Sequence, residues 1–231
     1  DESVRRARGT KNVVLRNVVK AKFNALVRPV ANGIFGRKLR NKVSFQAYYD
    51  ILLAWQFAHA VVPRTIELPD GTKATAHQQL RARHTLMELV KSEAIALLNY
   101  SYLRDRGEFR KRSDASMAAT FLASFFVAAR LGEDSPQTIA KVIIYNYLAK
   151  EWVFRYNADK RHFEVNSPNL QGAVRKLVGE VLQIIGRGDY AGAGRLISRF
   201  GVMSGEVRMK LETLSTLPVG ILPRYKSMPQ P

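Results

Sequence analysis

The sequence predicts a mostly α-helical domain carrying small β-hairpins, on three observations. Apolar residues recur at helical spacing through 44–61 and 77–103. Short stretches suited to strands flank two turn signals, Pro69-Asp70-Gly71 and Asn157-Ala158-Asp159-Lys160. A hydrophobic content of 46% over 231 residues is enough to bury a substantial core.

Taken in order, Val14, Val18, Phe23, Leu26, Val27 and Val30 give the first block a partial apolar face, so part of it packs as a helix. The region from Gly33 to Gly36 reads as a break. Helices over 44–61 and 77–103 follow, the second with Leu80, His84, Met87, Val90, Lys91, Ala94, Leu97 and Leu98 in register, and a hairpin from Thr65 to Ala76 lies between them. Arg104 to Arg112 is a polar connector. Asp114 caps a helix bearing Phe121, Leu122, Phe125 and Phe126, and Ser135-Pro136 opens another running to about Lys150. A second hairpin spans Val153 to Val165, then helices run from Ser167 through Ile185 and on to about Leu214. The chain divides into a basic N-terminal arm and first helix (1–42), a helical core (43–216) and an extended Pro-rich tail (217–231) with Pro218, Pro223, Pro229 and Pro231.

Charge sets this chain apart. Thirty-seven Lys and Arg face nineteen Asp and Glu, a net charge of +18, an imbalance common in proteins that live against polyanions. Residues 1–42 hold twelve of the basic residues and only Asp1 and Glu2 in opposition. The absence of cysteine excludes disulfides, thiolate zinc sites and thiol catalysis. No apolar run reaches the ~18 to 20 residues that span a bilayer. A start at Asp1 rather than Met fits a processed form or a piece of something longer.

The run Trp55-Gln56-Phe57-Ala58-His59 occupies the frame of an HExxH zinc motif, which sets two imidazoles one helical turn apart with a Glu as general base. Only His59 retains a metal-binding side chain. His77, His84 and His162 read as scattered surface or capping residues. Glu88 and Glu93, five apart, make no evident acid–base pair. Gly186-Arg187-Gly188 lacks the Walker spacing and reads as a helix connection. No nucleophile elbow is present.

Several blocks in order resemble the C-terminal catalytic half of dipeptidyl-peptidase-III-like zinc peptidases. They are Asp1-Glu2-Ser3-Val4-Arg5, Gly9 to Asn17, Ala21-Lys22-Phe23, Val43 to Tyr49, Glu88 to Glu93, Gly186 to Ala193 and Leu217-Pro218-Val219. Bacterial relatives of that family read HExxHGxGP where this chain reads Trp55 to Pro63. A second family block, EExKAD, completes the zinc site with its second Glu, and Leu89 stands there. The family's His-Gly pair, whose His lies near the substrate, has become Ser135-Pro136. The resemblance implies a helical catalytic-lobe fold in which Trp55, Gln56, His59, Leu89 and Ser135 are degenerate positions, with Trp55 filling the space of a former metal site. It therefore implies no metal, no cofactor, no small-molecule substrate and no peptidase activity.

What remains is the charge. Arg5, Arg6, Arg8, Lys11, Arg16, Lys20, Lys22, Arg37, Lys38, Arg40 and Lys42, with Arg110, Lys111 and Arg112 of the connector, are the candidate phosphate-binding residues. No RRM, KH or zinc-finger signature suggests base-specific reading. The expectation is an inactive, peptidase-like structural subunit contacting rRNA and neighbouring proteins in a large ribonucleoprotein, a mitochondrial ribosome in the matrix being the most concrete version. Two alternatives stay open: a protein scaffold in another organellar membrane complex, and a residual hydrolase.

Overall fold

The computed structural model describes residues 12–58, 65–68, 70–109, 113–132 and 134–222. The fold is mostly helical, with two separate two-stranded antiparallel hairpins among the described residues. The chain enters through α1 (Arg16–Lys22), a π-helical turn (Phe23–Val27) and α2 (Arg28–Ile34). Pro29 lacks an N–H and its ring would clash with the carbonyl four residues back, and the wide turn stands just before it. Phe23, Val27, Val30 and Ile34 share the buried face. The helix runs through Gly33 to Ile34, and the break predicted over Gly33 to Gly36 begins at extended Phe35. The described part of the basic block is thus built into the core through one face.

After a single turn, α3 (Arg37–Arg40), comes α4 (Phe45–Ala58), then the hairpin β1 (Thr65–Glu67) and β2 (Lys73–Thr75), with Ile66 opposite Ala74. Gly71 holds φ 79° in its turn, and the Asp70 carboxylate accepts from the Thr72 amide at 2.9 Å. The helix expected over 77–103 is two helices. Thr75 and Gln78 form a reciprocal capping box that starts α5 (Ala76–Leu80). Arg81 then turns to φ 47°, and a 3₁₀ turn leads into α6 (His84–Asp105). Neither Gly nor Pro marks the break. Across it, the Arg83 guanidinium lies 3.8 Å from the Tyr190 ring centroid and donates to the Tyr190 carbonyl at 2.6 Å.

Helix α7 (Asp114–Ala129) is capped by Ser113, whose hydroxyl accepts from the Ser116 amide, rather than by Asp114. Asp114 instead pairs with Arg104 and accepts from Gln171. Arg104, assigned from sequence to a polar connector, is in the last turn of α6 and largely buried. Helix α8 (Pro136–Lys150) leads to the hairpin β3 (Phe154–Asn157) and β4 (His162–Val165), in register Phe154 to Val165. Helices α9 (Leu170–Arg187), α10 (Tyr190–Phe200) and α11 (Gly205–Glu212) complete the fold.

Helix α6 sits at the centre, packed on α4, α8 and α9. A second focus is aromatic: Phe125 stacks on Tyr145 at 4.9 Å and Tyr145 on Phe154 at 5.8 Å, with Phe126 and Phe163 alongside. Among the described residues no helix is long and apolar enough to cross a membrane.

The α9–α10 connection does turn as a helix joint. Gly188 ends α9 in the left-handed region at φ 61°, and Asp189 caps α10 by accepting from Gly192 at 2.7 Å. A Cβ on Gly188 would lie 2.6 Å from the Gln79 Cβ and 3.0 Å from Ile66. Gly188→Ala is expected to lose about 1–2 kcal/mol from backbone strain alone, with more from the overlap. A lowered urea midpoint at unchanged m-value checks this.

Candidate functional site

The zinc-motif frame falls on the α4–α6 interface. Trp55 is half-buried on α4 against the core, and Leu89 is packed half-buried on α6. Gln56 follows Trp55 and is half-buried, whereas His59 lies outside the described residues. The two carboxylates of this stretch of α6 are each engaged by a lysine. Glu88 binds Lys91 at 2.6 Å and Glu93 binds Lys141 at 2.7 Å. An indole, an amide and an isobutyl group offer no anionic or imidazole donor, so the frame positions described do not suit Zn²⁺. Among the described residues there is no group of three or more His, Asp or Glu placed to hold an ion.

Ser135 also has a structural post. It caps α8, accepting from the Thr138 amide at 3.1 Å and donating to the Thr138 hydroxyl at 2.9 Å. Thr138 in turn donates to the Ala128 carbonyl, tying α8 to the end of α7.

Trp55 forms one wall of a cavity of about 480 Å³, with Leu26, Ile51, Leu52, Val127 and Leu131 as further apolar lining. Tyr48, Glu93, Lys141 and Lys22 supply its polar side, and Val219 to Ile221 close one edge. The first residues of the tail are held there because Arg130 donates to the carbonyls of Leu217 and Pro218. Burial, then the nearby Glu93 carboxylate, raises the Tyr48 hydroxyl above its ordinary pKa. Tyr48 is thus a neutral phenol at physiological pH, able to donate a hydrogen bond and unsuited to act as a base.

The candidate phosphate-binding residues are distributed over several surfaces. Arg5, Arg6, Arg8, Lys11, Arg110, Lys111 and Arg112 lie outside the described residues. Arg16 stacks 5.1 Å from the Phe45 ring centroid and 4.9 Å from that of Tyr49, an internal engagement its sequence position did not announce. Lys20, Lys22, Arg37, Lys38, Arg40 and Lys42 are exposed. Sequence reasoning left the histidines scattered, yet the His77 and His84 rings meet edge to face at 5.0 Å across the α5–α6 break. Their separation of seven is two helical turns, but the kink at Arg81, which has no sequence signal, creates the actual contact.

This helical lobe, built around an α4–α6 pair with small hairpins at its edges, is a metallopeptidase-like fold. The solved structures place it more narrowly: the chain has a dipeptidyl-peptidase-III-like fold. Dipeptidyl-peptidase III from Caldithrix abyssi superposes with a TM-score of 0.90 at 27% identity, covering 96% of this chain and 42% of that one. The enzyme from Corallococcus sp. strain EGB gives 0.89 at 32% identity, covering 97% of this chain and 41% of that one. In sequence, Nudix hydrolase 3 of Arabidopsis thaliana is 30% identical over 227 residues, 97% of this chain and 29% of that protein. The chain therefore spans less than half the length of each of these relatives. No family model matches it.

The ion pair Lys141–Glu93 spans α8 and α6 with both side chains less than a fifth exposed. Lys141→Met alone is expected to destabilise by about 1–3 kcal/mol, because Glu93 is left desolvated. Adding Glu93→Gln should return part of that loss, and a double-mutant cycle in urea measures the coupling. Burial is the leading cause of a lowered His84 pKa, with His77 and Lys91 adding to the shift and Glu88 opposing it. The unfolded state therefore takes up this proton more readily than the folded one. The stabilising contribution is complete above the unfolded value near 6.5 and is lost as pH falls through and below it. His84→Gln should flatten that part of the stability–pH curve.

Proposed function

We propose that this chain is a catalytically silent, peptidase-like module serving as a structural, rRNA-contacting subunit of a large ribonucleoprotein, a mitochondrial ribosome in the matrix being its setting. The observation that carries the reading is a contrast of charge. On α4 and α6 the frame positions of the zinc site hold Trp55, Gln56 and Leu89, while Glu88 and Glu93 have lysine partners of their own. On the surface, exposed cations of α1 and α3 contribute to a net charge of +18. Polyanion binding is the use such a surface serves best, and its partners would be RNA phosphates and adjoining proteins.

The purified chain should bind RNA with little sequence preference. If about six phosphates are neutralised, affinity should fall ~10³-fold between 50 and 200 mM salt. Co-sedimentation with ribosomal subunits after detergent treatment supports the assignment, whereas co-purification with a membrane complex would favour a scaffold there.

A second reading, residual hydrolysis, is favoured by the names of the relatives, a Nudix hydrolase and two dipeptidyl peptidases. It needs donors that the described frame does not offer. Metal analysis of the purified chain is expected to find no stoichiometric zinc. Zinc at one equivalent, lost in His59→Ala, would restore the hydrolase reading and displace the first.

A further inference from the structure

The molecule carries a basic groove whose two walls are about 120 residues apart in sequence. One wall is Gly36 to Leu39, at the start of α3; the other is the β3–β4 hairpin from Lys160 to Val165. They are joined below by a parallel bridge between Phe35 and Phe163, and Phe163 is fully buried in the aromatic cluster. The groove has a volume of about 520 Å³. The spacing of its walls depends on Gly36, since a Cβ there would meet the His162 ring at 3.0 to 3.4 Å. Glycine lets the imidazole lie directly against the backbone, so the hairpin sits close to α3.

The charges across this groove are unequal. Arg37, Lys38 and Lys160 line it, with His162 between them, against the single carboxylate of Glu164. Glu164 is held in place by Asn157, which donates at 2.9 Å, and lies 3.3 Å from the Lys160 ammonium and 4.0 Å from His162. A further cation outside the groove, Lys210 on α11, donates to the Arg161 carbonyl at 2.9 Å and steadies the hairpin tip. The base of the groove is braced, while Arg37, Lys38 and Lys160 at its mouth remain exposed to solvent.

We propose that this groove seats the phosphodiester backbone of RNA, with Arg37 and Lys38 on one side and Lys160 on the other neutralising successive phosphates. The inference rests on the RNA-binding reading above and assigns that reading a location. Arg37 supplies a planar fork that can grip a phosphate through two N–H donors, and the two lysines act as point charges. Glu164 is the internal competitor. When a phosphate enters, Lys160 exchanges a carboxylate partner for a phosphate one, and Glu164 stays satisfied by Asn157. Removing the competitor should tighten binding, an effect that a purely structural role for these residues would not produce.

The experiment titrates a short duplex RNA against the full chain at a series of salt concentrations. Its variants are Arg37→Gln/Lys38→Gln/Lys160→Gln, the single Glu164→Gln, and a control triple on α9 and α10, Arg187→Gln/Arg195→Gln/Arg199→Gln. Equal melting temperatures establish that all are folded. The groove triple should reduce the slope of log affinity against log salt by about 2 to 3, close to one for each lost phosphate contact. Glu164→Gln should bind a few-fold tighter, and the control triple should keep most of the wild-type slope. A steep wild-type slope left unchanged by the groove triple overturns the location while sparing the RNA reading. A wild-type chain with no salt-dependent RNA binding overturns both. Phosphatidylcholine vesicles with and without phosphatidylserine form the last arm. Binding to the anionic vesicles in preference to RNA, lost in the groove triple, would reassign the groove to a membrane surface.

Discussion

The structure depends on burying one helix on nearly all sides. Helix α6 contacts α4, α8 and α9, and it must do so while carrying a lysine inward. Lys91 is 1% exposed. A lone ammonium there would be intolerable, and the Glu88 carboxylate one turn back, at 2.6 Å, makes it acceptable. Around this pair the remaining inward positions of α6 are small or aliphatic, among them Ala94, Ala96, Leu97 and Ser92. Small residues let neighbouring helices approach closely. Tyr100 then closes the far end of the helix against Phe109.

The same interface carries the positions that would decide peptidase chemistry, which links packing to function. Trp55 and Leu89 are both packed on the core, and the polar side chains that remain nearby are engaged with one another. The cavity beside Trp55 is a consequence of that arrangement. Its walls come from α1, α4, α6, α7 and α8, and its edge from the start of the tail. Because Arg130 holds the carbonyls of Leu217 and Pro218, the start of the tail is part of the lobe's surface. The charged exterior and the packed interior are therefore separate features of one scaffold, and changes to the first need not disturb the second.

Much of this was legible where a residue type has a local conformational meaning. Pro69-Asp70-Gly71 marked the first hairpin because Gly71 takes a positive φ and Asp70 caps its own turn. Ser135-Pro136 marked α8, and Gly188-Asp189 the α9–α10 joint, for equally local reasons. What escaped was set by tertiary contact. Arg81 and Arg161 adopt left-handed backbone without being Gly or Asn, at the α5–α6 kink and the β3–β4 turn. The kink brings His77 to His84, and the turn presents Lys160 to α3. Ser113 captured the cap predicted for Asp114 because Arg104 and Gln171 compete for that carboxylate. At the candidate site, the side chains at the frame positions Trp55, Gln56 and Leu89 could be read residue by residue. The cavity and the basic groove could not, since each is assembled from segments that only the fold brings together.

The make-up of the α4–α6 interface also bears on its stability. In a metal site, inward-facing imidazoles and carboxylates are tolerated because the ion pairs with them, so an empty site would leave polar groups buried between two helices. With Trp55 and Leu89 at its frame positions, the described contact is largely apolar. The α6 acids Glu88 and Glu93 have lysines at 2.6 and 2.7 Å, and the buried Asp50 of α4 accepts from Gln46 at 2.6 Å. The described α4–α6 contact is thus closed by apolar side chains and paired charges. A basic exterior is destabilising through self-repulsion unless a polyanion offsets it. Part of this charge sits on exposed faces of α1 and α3, of which α1 reaches the core through Val19 and α3 through half-buried Leu39. Neutralisation of those faces by phosphate would thus relieve repulsion on elements already anchored, coupling binding to stability without a change of fold.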